Sequence, residues 1–135
     1  GRNGSAPRVS LAGEIVVTGR EFYDFEAKYL DTGAVDLKIP TELPAEQLKE
    51  MQELSAKAFN ALGCEGLARV DFLLSRDTGA IYVNEINTMP GFTNISMYSK
   101  MWEASGVDYP TLVDRLIQFA LARHAEKQRL KTSAL

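Results

Sequence analysis

With 135 residues, 45% of them hydrophobic and 24% charged, the chain has the make-up of one globular domain and is too short for two ordinary ones. A formal net charge of −3 argues against a nucleic-acid binder, which would need a basic surface. No apolar run approaches the length of about 20 residues that spans a bilayer, so no membrane segment is expected, and the single cysteine, Cys64, excludes an intrachain disulfide and favours a cytosolic setting.

Residues 1–10 are polar and read as a flexible lead-in rather than a secretory signal. The chain does not begin with methionine, and Gly1–Pro7 resembles the interior of a loop. The expectation is a piece of a longer protein, with a processed native N-terminus as the plainer alternative. Glu14–Thr18 is β-branched and short, which predicts a strand. Residues 19–36 mix aromatics, charges and two glycines without a clean period. They read as a long loop with a helical turn around Tyr23–Tyr29, and loops of that length in small domains are often functional. A second short strand is expected over Val35–Ile39.

Pro44–Leu62 is the clearest helix: Leu48, Met51, Leu54, Ala58, Phe59 and Leu62 recur at helical spacing, Pro44 suits a first turn and Gly63 a C-terminal cap. Leu67–Leu74 and Ile81–Ile86 read as two strands joined by a turn at Asp77-Thr78-Gly79. A short helix is expected over Ser99–Ser105, stopped by Gly106. A last helix begins near Asp108 or Pro110 with Leu112, Val113, Leu116, Ile117 and Ala120 on one face. From His124 the composition turns polar, and residues 124–135 read as a frayed tail. Cys64, Trp102 and Phe119 read as packing residues and His124 as an exposed one.

The predicted hairpin carries the chemistry. Arg69 and Asp71 are two apart on one strand, Glu85 and Asn87 two apart on the next, and alternation puts each pair on one face. A turn centred on Thr78 sets Asp71 opposite Glu85, with Cβ atoms about 4.5–5.5 Å apart. Val70, Phe72 and Leu74, with Ile86 and Tyr82, would then face a core. Opposed carboxylates repel unless neutralised, and two carboxylates plus an amide oxygen suit a hard cation such as magnesium, with phosphates and water completing its shell. The plainer reading is a salt bridge from Arg69 to one carboxylate on a solvated face, and a one-residue slip of register would break the pairing. Beyond Asn87, Pro90-Gly91 is a turn signal: taken alone it reads as an ordinary Pro-Gly turn, although a backbone N–H beside a metal site could stabilise an oxyanion.

Taken together, Ala68-Arg69-Val70-Asp71-Phe72, Asn84-Glu85-Ile86-Asn87-Thr88-Met89-Pro90-Gly91-Phe92-Thr93 and Ile95-Ser96-Met97-Tyr98 resemble the signature of the D-alanine–D-alanine ligases, members of the ATP-grasp superfamily. Upstream, Phe22-Tyr23-Asp24-Phe25-Glu26-Ala27-Lys28-Tyr29 resembles that family's mobile loop over the active site, and the likeness runs from about Gly13 to Arg123. The resemblance implies an α/β fold: the C-terminal part of an ATP-grasp domain, a mostly antiparallel sheet with helix 44–62 on one face and helix 110–123 closing its edge.

It also implies an activity. ATP phosphorylates the carboxylate of one D-alanine, and the amine of a second displaces phosphate, giving a precursor of peptidoglycan in a bacterial cytoplasm. Asp71, Glu85 and Asn87 would hold two magnesium ions, with manganese a workable substitute. Arg69 and the Gly91 N–H would stabilise the tetrahedral oxyanion, and Ser96 with the Met97 N–H would take the second substrate's carboxylate. Lys28 would reach the transferred phosphate, and Tyr29 would latch the loop against water. Tyr29 also favours D-alanine as second substrate, because relatives that prefer D-lactate generally lack tyrosine there. The family's N-terminal and central portions, which supply an acid–base glutamate, phosphate-binding lysines and the adenine-reading groups, find no match here. The chain alone is therefore expected to be inactive and to bind ATP weakly. Family members are commonly homodimers, which makes a homodimer the expectation for the parent, although its surface would fall largely outside this stretch. Rival readings are a ligase for D-lactate or another amino acid, and a non-catalytic metal-binding module.

Overall fold

The computed structural model describes residues 6–17 and 35–129. The described chain runs β1 (Glu14–Val17), β2 (Val35–Lys38), α1 (Ala45–Ala61), β3 (Arg69–Leu74), β4 (Ile81–Asn87), α2 (Met97–Ala104) and α3 (Tyr109–Arg129). This is the expected mixture of helix and antiparallel sheet, but the strands form two separate two-stranded sheets, β1–β2 and β3–β4. The long loop expected over 19–34, with its turn around Tyr23–Tyr29, lies outside the described residues.

Strand β1 pairs with β2 from Glu14↔Lys38 to Val17↔Val35. The segment before β1 has no regular structure but is tied down. Leu11 N–H donates to Ser105 Oγ at 2.8 Å, Gln52 Nε2 to the Ser10 carbonyl at 3.0 Å, and the Arg8 guanidinium stands 5.7 Å from the centre of the Trp102 ring. Gly13 passes so close to α2 that an added Cβ would stand 2.9 Å from Met97 Cε and 3.0 Å from Ile39 Cγ1.

Helix α1 starts one residue later than its proline suggests. Pro44 sits outside the helix at the N-cap, with its carbonyl accepting from Leu48 N–H at 3.1 Å. Its end matches the expectation. Gly63 adopts φ 62°, and the N–H groups of Gly63 and Cys64 return to the carbonyls of Asn60 and Phe59 at 3.0 Å each, the paired bonds of a Schellman cap. Met51 and Phe59 are the buried residues of α1, which packs on the β3–β4 hairpin, and Gln47 Nε2 donates to the Gly79 carbonyl at 3.3 Å. Leu62, expected on the apolar stripe, falls at the cap and is exposed.

Helix α3 finds its main packing partner in α2 rather than along a sheet edge. Tyr98, Val107 and Leu112 form the buried cluster there, with Leu67, Phe92, Trp102 and Leu116 packed around it. Ile117, expected on the buried face, is exposed, because the stripe that meets α2 follows Leu112 and Leu116 instead. Arg123 of α3 pairs with Glu65 in the turn before β3. The helix continues past His124 to Arg129, with residues 123–129 exposed and Lys127 and Arg129 in a last turn where cations are favoured. Among the described residues no helix is long and apolar enough to cross a membrane.

Candidate functional site

The hairpin delivers the expected pairing by an unexpected route. Leu74 pairs with Ile81, Leu73 with Tyr82 and Phe72 with Val83. Asp71 then pairs with Glu85, Val70 with Ile86 and Arg69 with Asn87, so Asn84 is an extra residue that opposes nothing. This β-bulge lies beside Glu85. Near the turn the hairpin is therefore centred between Asp77 and Thr78, and the bulge restores the register at the carboxylates. It also changes which residues share a face. Tyr82, expected to pack with Ile86 on the core side, stands opposite Leu73 on the face of Arg69 and Asp71, where both are well exposed.

The salt bridge of the plainer reading is present as well. Arg69 grips Asp71 with a two-pronged fork, Nε to Oδ1 at 2.7 Å and Nη2 to Oδ2 at 2.8 Å, both side chains partly exposed. Such planar, charge-assisted bonds fix the carboxylate's orientation. Glu85, across the strand, is exposed. Asn87 Oδ1 accepts from Met89 N–H at 3.0 Å, so the amide shapes the chain's departure from β4. Among the described residues no three or more His, Cys, Asp and Glu side chains cluster as a metal site. The set here is two acids plus an amide, all oxygen donors, which fits a hard divalent cation that keeps several water or phosphate ligands.

Beyond Met89 the chain turns at Pro90, which is buried, and Gly91, which is exposed. A Cβ on Gly91 would meet nothing within 4 Å among the described residues, so internal packing does not demand glycine there. Phe92 anchors the turn, with ring centroids 6.0 Å from Tyr98 and 5.5 Å from Tyr109. Burial raises the pKa of the Tyr98 phenol, opposed by a hydrogen bond from Trp102. From this anchor the chain enters α2 at its N-cap, Ser96. Ser96 Oγ donates to the Thr93 carbonyl at 2.9 Å and accepts from Thr93 N–H at 3.3 Å. Met97 is the first residue of α2, with its N–H at the helix end that favours anions.

One stretch thus carries Arg69, Asp71, Glu85 and Asn87 on the hairpin and Gly91, Ser96 and Met97 on the turn that follows it. Lys28 and Tyr29 lie outside the described residues. Reading the sequence missed two contributors. Asn84 is invisible as a bulge because nothing in its residue type marks it. Ser99, buried at 3% exposure with its Oγ 3.1 Å from Ser96 Oγ, had a signal in its spacing of three from Ser96 at a helix start.

Comparison with known proteins gives this arrangement a lineage. The family model described as D-ala D-ala ligase C-terminus matches residues 2–118. The chain belongs to that family. It is 54% identical over 123 residues to the D-alanine–D-alanine ligase of Thermoanaerobacter sp. (strain X514), an alignment covering 91% of this chain and 34% of that protein. To the ligase of Streptomyces griseus it is 57% identical over 118 residues, covering 87% of this chain and 29% of that one. Among solved structures, the D-alanine–D-alanine ligase of Coxiella burnetii superposes with a TM-score of 0.77 at 41% identity, covering 96% of this chain and 32% of that one. The D-Ala:D-Ser ligase VanG of Enterococcus faecalis superposes with a TM-score of 0.69 at 34% identity, covering 82% and 31%. The chain spans about a third of the length of these relatives.

Proposed function

We propose that this chain is the C-terminal, metal- and phosphate-handling part of an ATP-dependent D-alanine–D-alanine ligase of the bacterial cytoplasm, acting through an acyl phosphate. The observation that carries the reading is the directly opposed pair Asp71 and Glu85, with Asn87 on the same face. It is supported by relatives more than half identical that bear the ligase's name, and by a homologous structure described as the Bacillus anthracis ligase complexed with ATP.

In this reading Asp71, Glu85 and Asn87 hold two magnesium ions. Magnesium, when bound, neutralises charge on the nucleotide's phosphates. The carboxylate of the first D-alanine attacks the γ-phosphorus of ATP, giving an acyl phosphate and ADP. The amine of the second D-alanine, having lost a proton, attacks the acyl carbon. The carbonyl oxygen then carries negative charge, and Arg69 with the Gly91 N–H meets it. Collapse expels phosphate and leaves the dipeptide. Ser96 and the Met97 N–H hold the second substrate's carboxylate, where a helix N-terminus favours an anion. Lys28 is assigned to binding the transferred phosphate and Tyr29 to keeping water from the acyl phosphate.

The test is phosphate release by the full-length ligase with ATP, magnesium and D-alanine. Asp71→Asn and Glu85→Gln are each expected to slow turnover about 100-fold or more, because each weakens metal charge stabilisation worth several kcal/mol. Product analysis should show D-alanyl-D-alanine. Wild-type rates and magnesium dependence in both variants would overturn the reading.

A further inference from the structure

The feature that carries an inference lies beneath Ser96. Ser99 is 3% exposed on the first turn of α2, and its Oγ stands 3.1 Å from Ser96 Oγ. The Ser96 hydroxyl already donates to the Thr93 carbonyl at 2.9 Å and accepts from Thr93 N–H at 3.3 Å. A hydroxyl has one proton and two lone pairs. With its proton on Thr93 O and one lone pair facing Thr93 N–H, Ser96 has only a lone pair left for Ser99. Ser99 is therefore the donor of that bond and Ser96 the acceptor.

We propose that Ser99 is a positioning residue that holds the Ser96 oxygen from below, leaving the Ser96 proton free to turn from the Thr93 carbonyl to a substrate carboxylate. This rests on the reading of Ser96 as the group that binds the second substrate. A carboxylate is a stronger acceptor than a carbonyl, so the proton swings about the Cβ–Oγ bond when substrate arrives. The bond to Thr93 O is then lost, and the oxygen is kept in place by the two bonds it accepts. Of these the one from Ser99 is the shorter, and it comes from a side chain shut away from competing water. Donation into Ser96 also polarises its own O–H, as in any chain of hydrogen bonds. Ser99 is too buried to touch the substrate, so its whole effect passes through Ser96.

The experiment is a double-mutant cycle in the full-length ligase with Ser96→Ala, Ser99→Ala and both together. Ser99→Ala is expected to raise KM for the second amino acid about 3- to 10-fold, the loss of one hydrogen bond's worth of binding. KM for ATP and kcat should stay within about twofold. In the Ser96→Ala background Ser99→Ala should change nothing further. Should Ser99→Ala fail to fold, Ser99→Cys, which keeps a weaker donor of similar shape, gives the same comparison at smaller amplitude. Equal effects of Ser99→Ala with and without Ser96, or a lowered thermal midpoint with KM unmoved, would overturn the role of Ser99 and leave Ser96 standing. If Ser96→Ala itself left KM for the second amino acid unchanged, the reading of Ser96 would fall and this inference with it.

Discussion

Asp108 shows how single residues hold up the site's surroundings. It precedes α3, and its Oδ1 accepts from Thr111 N–H at 2.9 Å, satisfying one of the donors a helix start leaves open. Hydrogen bonds from the Thr111 side chain and backbone, assisted by the charge of Arg115, hold the Asp108 carboxyl below its ordinary value. A depressed folded-state pKa means the unfolded chain takes up a proton first. The stabilisation is thus complete above the unfolded value of about 3.9 and is lost as pH falls through the lower folded value. Asp108→Asn keeps the cap's acceptor but cannot titrate. Thermal melts should show the variant close to wild type at neutral pH, with the wild type losing slightly more stability as pH falls below about 4. Parallel losses in both would mean that the Asp108 charge adds nothing to the cap. Arg69 works at the same scale: its fork needs the planar guanidinium, and a lysine could not hold both Asp71 oxygens in one plane.

At the scale of elements, the bulge at Asn84 separates what could be read from the sequence from what could not. Counting outward from Thr78 put Asp71 opposite Glu85, and that pairing is present. The count works because two departures cancel: a turn centred half a residue earlier, and one extra residue in β4. Alternation reveals neither, so it places Tyr82 on the wrong face. The helices were more legible, because their ends carry chemistry of their own, such as the left-handed Gly63 and Gly106, at φ 62° and 81°. Ile117 escaped because helical spacing defines a stripe but not which neighbour covers it. For the site, the hairpin's carboxylates follow from spacing and Gly91 from its turn signal, whereas Ser96 is legible only through family resemblance. Deleting Asn84 isolates the bulge. The remaining residues would pair in one continuous register with Glu85 still opposite Asp71, so the hairpin should survive. The bend that aims Glu85 and Asn87 would be gone. Expected are a cooperative thermal transition and at least about a 10-fold loss of activity, since small misplacements at a reacting centre are costly. Full activity would show that the bulge is a tolerated insertion with no part in aiming the site.

For the whole molecule, the distribution of apolar surface has a consequence for activity. Among the described residues Met51, Phe59, Tyr98, Val107 and Leu112 form the buried hydrophobic core. On and beside the site, Met89 is 88% exposed, Ile95 70%, Leu73 61% and Tyr82 60%. Large apolar side chains grouped around a functional face mark a surface that another body covers. The chain spans about a third of its relatives' length, so under the proposed function the remaining portion of such a ligase is the natural cover. Covering that face also excludes water, which an acyl phosphate requires. The chain by itself should therefore release no phosphate from ATP with magnesium and D-alanine. Mixed with the separately produced remainder of the ligase, it should regain turnover and a higher thermal midpoint together, since binding to the folded form stabilises it. Turnover by the 135-residue chain alone would mean that the nucleotide cleft is complete within it. A raised midpoint without turnover would place the fault in the geometry of the reassembled cleft, not in docking of the apolar face.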